Sequence, residues 1–164
     1  MHHWKSGAAV AAMLLTAMPA SADWPPVKWG MTQEQVLAAM PGAVARAWKG
    51  EDNDVWGRRM LADAPNADGD IALTAEFYFD AKHKKLVFVR QVAKDPKSCA
   101  DWRKILVARY GPGTPGKKDG LGIMDSIRWT DSDGDTLLFL SITMPESGPY
   151  YCHLIDGVPA DQKG

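Results

Sequence analysis

No stretch of this 164-residue chain sustains the run of about 20 apolar residues that a membrane-spanning helix requires. An excess of one charge is missing as well. With 19 Lys and Arg against 20 Asp and Glu, the formal net charge is −1, so no whole-chain field draws the protein to nucleic acid or to an anionic membrane. Cysteine is limited to Cys99 and Cys152, and histidine to four residues. No Gly-rich phosphate loop, zinc-ligand spacing or Ser-x-x-Lys signature occurs. What is present is a globular composition, 46% hydrophobic and 24% charged, and a length that favours one domain.

Residues 1–22 have a basic start, an apolar run from Gly7 to Ala17 and the small-residue signal Ala20-Ser21-Ala22, which together predict a cleaved secretory signal peptide. The mature chain is then expected to begin at Asp23, to form one domain over 23–164, and to reside in the periplasm or be secreted. No Cys follows the cleavage signal, which disfavours a lipid anchor. In an exported chain, two cysteines with none left over predict a single disulfide, Cys99 to Cys152.

Along the chain, Thr32 and Gln35 have capping-box spacing and predict a helix from Gln33 to Met40, stopped by Pro41-Gly42. Strand texture follows near 43–48, 55–61, 71–79 and 86–93, with Asp68-Gly69 as a hairpin turn and Asp80 to Lys85 as a polar turn. A second helix is predicted over Cys99 to Tyr110, with Ser98 and Asp101 at its amino end and Gly111-Pro112 after it. Residues 112–120 read as an exposed loop, and strands are expected near 123–130, 135–143 and 150–155.

The segments around Leu37 to Gly42 and Leu106 to Gly111 match in type, as do Ala67 to Asp70 and Ser132 to Asp135. The expected fold is therefore α+β, an antiparallel sheet of about six to eight strands with two helices packed on one face. It would be built from a degenerate tandem repeat with halves near 29–95 and 96–156. Trp29-Gly30-Met31-Thr32, the Phe77-Tyr78-Phe79 strand and Arg109-Tyr110-Gly111-Pro112 carry a resemblance to small bacterial envelope proteins with helix-plus-sheet repeats. That group is similar in layout to the beta-lactamase inhibitor proteins and the SmpA/OmlA outer-membrane lipoproteins. The resemblance implies a scaffold and no catalytic motif.

Alternation along the strands nominates a binding surface on the sheet face turned away from the helices. With Ile71, Leu73, Phe77 and Phe79 inward, Glu76 and Tyr78 face out; with Cys152 and Leu154 inward, Tyr151 and His153 face out. Ile127 and Trp129 inward put Arg128 outside, and Leu138, Leu140 and Ile142 inward put Leu137 and Phe139 outside; Trp56 and Arg58 join them. Aromatic and Arg side chains are the types that carry binding energy at interfaces, so a protein or envelope component is the expected partner, with no cofactor. Two alternatives stand beside it. One is a small enzyme with Glu76 and His153 as an acid/base pair and Arg58 or Arg128 holding an anion. The other is a small-ligand or calcium carrier using Asp131 to Asp135 or its copy at Asn66 to Asp70, although neither has the Gly and Glu placement of an EF-hand loop.

Overall fold

A computed structural model describes residues 26–50, 54–116, 123–130 and 134–157. Residues 1–22, read from the sequence as a signal peptide, and Asp131 to Asp133 lie outside the described residues. The chain runs α1 (Gln33–Ala39), β1 (Val44–Ala45), β2 (Asp54–Val55), β3 (Arg58–Asp68), β4 (Ile71–Asp80), β5 (Leu86–Ala93), α2 (Cys99–Tyr110), β6 (Thr114–Pro115), β7 (Met124–Thr130), β8 (Thr136–Met144) and β9 (Gly148–Asp156). The strands form one nine-stranded antiparallel sheet in the order β1-β3-β4-β5-β9-β8-β7-β6, with β2 folded back on β3. Both helices lie on the same face, so the architecture is α+β as expected from the sequence.

Local chemistry accounts for most element ends. Thr32 and Gln35 form a reciprocal capping box at α1, each side chain accepting from the other's backbone N–H. Gly111 terminates α2 at φ 83°, a left-handed conformation that an L side chain resists. The amino end of α2 differs from expectation: Ser98 makes no side-chain cap. A 3-10 turn over Pro96–Ser98 precedes the helix, and the Asp95 carboxylate accepts from the Lys97 N–H at 3.0 Å. Asp101 is instead paired with Lys104.

Three strand boundaries also differ. β3 continues through Pro65 and Asn66 to Asp68, where the sequence reads as a turn. Beyond Asp63, β3 has no β1 partner, so the N–H that Pro65 lacks would have faced no strand. β1 keeps only Val44–Ala45 of the expected 43–48. The stretch from 112 that reads as a loop contains β6, whose Pro115 pairs with Ile127 of β7. Gly113 and Gly116 permit that approach: a Cβ on Gly113 would sit 2.5 Å from Ile127, and one on Gly116 would sit 2.0 Å from the Ser126 hydroxyl.

On the helix face, two apolar clusters meet the helices. Val36 of α1 packs with Ala62, Ala75, Phe77, Phe79 and Val89, while Trp102 and Leu106 of α2 pack with Leu73, Ile127, Leu137, Phe139 and Leu154. The Cys99–Cys152 disulfide forms, tying the first turn of α2 to β9. Closing a loop with 53 residues of separation corresponds to about 4 kcal/mol of stabilisation in the chain-entropy account.

Candidate binding face of the sheet

The face opposite the helices is organised in rows, because paired positions on antiparallel strands present their side chains to the same side. One row runs Asp63, Glu76, Arg90, Ile155, Leu138, Arg128; the next runs Pro65, Thr74, Val92, His153, Leu140, Ser126; a shorter third runs Tyr151, Ile142, Met124. Glu76, Tyr78, Arg128, Tyr151 and His153 therefore share one face, as the alternation predicts.

Phe139 does not. It pairs with Ile127 on one side and Leu154 on the other, both helix-face residues, and it is 1% exposed with its ring edge-on to Trp102 at 5.7 Å. Leu137 is buried in the same cluster. The phase of β8 is thus the reverse of the sequence expectation, and Leu138, Leu140 and Ile142 occupy the open face, half-buried. The reason is that β8 is apolar in succession from Leu137 to Leu140, while the alternation in Leu140-Ser141-Ile142-Thr143 puts its apolar residues on the open face; the pairing with β7 and β9 sets the phase.

One end of the face is roofed by the β2–β3 hairpin. Its turn residues Trp56 and Gly57 both have positive φ, 53° and 70°, as a two-residue turn of the favoured hairpin type requires. For a bulky side chain that conformation is strained. The Trp56 ring lies 5.7 Å from Phe88, which stacks on Tyr78 at 4.5 Å, and Arg58 donates to the Trp56 carbonyl at 3.0 Å. Trp56 and Tyr78 consequently belong to a small separate core with Phe88 and Ile155, and Tyr78 is 1% exposed.

At the centre, the Arg90 Nε donates to Glu76 at 2.6 Å, and the Tyr78 hydroxyl donates to the same carboxylate oxygen at 3.1 Å. Burial, reinforced by the Glu76 charge, holds the Tyr78 phenol well above its ordinary range. Arg90 also lies over the Tyr78 ring, 5.1 Å from its centroid. His153 stands one row on, edge-on to Tyr151 at 5.1 Å and 9% exposed, with a buried Nδ1 that has no hydrogen-bond partner. Burial, and secondarily the Arg90 charge, push its imidazole down to about 3. Glu76 and His153 do not meet: β5 lies between their strands, which places the strand axes about 10 Å apart.

The Asp-rich turns have structural partners. Asp68 accepts from the Trp102 indole at 3.1 Å and from both terminal nitrogens of Arg109, and Asp135 accepts from the Trp29 indole at 2.9 Å. Among the described residues, no group of three or more His, Cys, Asp or Glu side chains is arranged to hold a metal ion.

A cleft of about 470 Å³ opens where β6 stands against this face, lined by Thr114, Pro115, Gly116, Ser126, Arg128, Leu138 and Leu140. Alternation points to Arg128 but does not reveal the cleft, whose wall is a strand hidden in a Gly- and Pro-rich stretch. No helix among the described residues is long and apolar enough to cross a membrane. No family model, no curated protein and no solved structure matches this chain.

Proposed function

We propose that the protein is an exported, non-catalytic binding module of the bacterial envelope that engages a protein partner through the open sheet face. The observation carrying this reading is the strip of Leu138, Leu140 and Ile142, apolar and half-exposed, beside Tyr151 and a neutralised Glu76–Arg90 pair. Contiguous exposed apolar surface rimmed by polar groups marks interaction sites. The signal peptide, the periplasmic or secreted location and the origin of the two halves in one repeated unit belong to the same proposal. A disulfide and a layout that gives helix, short edge strand and three-strand meander twice support them.

The acid/base alternative draws little support from the geometry. A general base is most effective with a pKa near the operating pH, whereas His153 stays neutral far below it and Glu76 is committed to Arg90 and Tyr78. The test is affinity capture from periplasmic and outer-membrane fractions, read by mass spectrometry, with the wild-type chain and with an L140E/I142E/Y151S variant. A partner retained by the first and lost by the second is the expected result. Equal capture by both, with the variant's fold intact by circular dichroism, would remove this face from consideration.

A further inference from the structure

The edges of the sheet are not alike. At one end, β6 turns Pro115 away from β7: Gly116 donates to the Ser126 carbonyl and Thr114 pairs with Arg128, so the outward position between them is the one without an N–H. β3 beyond Asp63 carries Pro65. β1, at the other end, carries no proline. From Ala43 to Lys49 the chain runs without a turn or bend, and every residue from Val44 to Lys49 is exposed.

Register determines which backbone groups are open there. Arg46 donates its N–H to the Leu61 carbonyl at 2.7 Å and Val44 pairs with Asp63, so the alternate residues Ala45 and Ala47 direct N–H and C=O away from β3. Among the described residues, nothing accepts from either N–H. Such an edge is a template for a further strand. The sequence has strand texture over 43–48, yet β3 pairs only its first part. Charged side chains commonly blunt exposed edges, but the Arg46 guanidinium is already held by Asp63 at 2.8 Å.

We infer that β1 pairs with β1 of a second copy of this chain, antiparallel across a two-fold axis at Ala45. The segment is self-complementary in that register. Ala45 of each copy exchanges N–H and C=O with Ala45 of the other, and Ala47 donates to the carbonyl of Ala43, whose own N–H is already bonded to Met40. Val44 lies opposite the aliphatic stem of Arg46, so no like charges are directly opposed. The other side of the ribbon carries only alanines, at 43, 45 and 47, which leaves room for the copies to approach. The pairing uses this edge in both copies, and Pro115 blunts the opposite one, so association stops at two. The contact is smaller than a standard interface of about 1,600 Å², and the dimer is therefore reversible. It leaves the open sheet face uncovered and is independent of the protein-partner reading.

Sedimentation velocity of the purified disulfide-bonded protein over a concentration series tests this, together with residue-resolved amide exchange. A reversible monomer–dimer equilibrium is expected. Exchange at Ala45 and Ala47 should be slower in concentrated than in dilute protein, while Arg46, already bonded to β3, stays unchanged. A45P and A47P each delete an outward N–H in both copies and leave the bonds to β3 in place. Each should weaken the dimer about thirtyfold, the equivalent of two backbone hydrogen bonds. L140E/I142E/Y151S, altered only on the open face, should dimerise as the wild type does. The inference would be overturned by absence of a dimer up to about 1 mM, by an undiminished dimer in either folded proline variant, or by dimer loss in the open-face variant alone. Association beyond two copies, or slowed exchange that spares Ala45 and Ala47, would overturn it as well. A monomeric protein that still captures a partner through the open face would sink this inference and leave that reading standing; a dimer whose open-face variant captures as well as the wild type would do the reverse.

Discussion

His153 concentrates the consequences of burial at the scale of one residue. Its Nδ1 is enclosed without a partner, and the groups facing it are Arg90 from β5 and Tyr151 from its own strand, neither of which stabilises an imidazolium. The folded pKa, about 3, lies below the ordinary value of 6.5, so the unfolded chain takes up a proton first as the pH falls. Stability contributed by the neutral imidazole is complete above pH 6.5 and is lost progressively toward pH 3. Between pH 7 and 4.5 the loss due to this group is about 2 to 3 kcal/mol. Urea midpoints at the two pH values should show it as the difference between wild type and H153L, the leucine variant falling less on acidification. Phe139 supplies the complementary prediction. Because it lies edge-on to Trp102 inside the α2 cluster, F139A should cost about 3–5 kcal/mol in equilibrium unfolding. A cost below about 1 kcal/mol would return it to the surface.

At the scale of elements, legibility in the sequence followed local signals. α2 was bounded by Pro96 before it and Gly111 after it, and β5 by the polar turn at Asp80 and the Lys94-Asp95-Pro96 stretch, so both are found where their residues place them. β4 alternates and shows its faces. β8 misleads: Leu137 through Leu140 are apolar in succession, Leu140-Ser141-Ile142-Thr143 alternates with its apolar residues turned to the open face, and the choice of face belongs to the neighbouring strands. That single inversion changed the candidate site, removing Phe139 and adding Leu138, Leu140 and Ile142. β6 was illegible for another reason, since a two-residue strand containing Pro has no periodicity to detect. The disulfide, by contrast, was readable by counting, and its effect is testable on an element. Removing it as C99A/C152A should lower stability by about 4 kcal/mol, measured by denaturant titration beside the oxidised wild type. Hydrogen exchange should rise first in the opening turn of α2, which the bridge holds against β9.

The whole molecule is joined by few but long-range connections. Among the described residues, the two halves share the sheet only through β5 and β9, paired over Val89–Val92 against His153–Asp156. A seam that short would allow the halves to separate if nothing else crossed it. Two indole clamps do cross it in opposite directions: Trp29, before α1, holds Asp135 at the head of β8, and Trp102 in α2 holds Asp68 at the β3–β4 turn. The core crosses it as well, because Ile71, Leu73 and Ala93 of the first half pack in the same cluster as Trp102, Leu106 and Cys152 of the second. Neither half therefore buries its apolar face alone. Thermal unfolding should accordingly be one transition, with far-ultraviolet circular dichroism and tryptophan fluorescence coincident. D68A leaves the Trp102 indole without its acceptor and Arg109 without its carboxylate, and should lower the midpoint of that one transition, at a cost of about 1–3 kcal/mol. Resolution of the melt into two steps in D68A, with the wild type melting in one, would mean that the clamps, more than the shared core, join the halves. A single lowered step in the variant would assign that role to the core together with the remaining Trp29–Asp135 clamp.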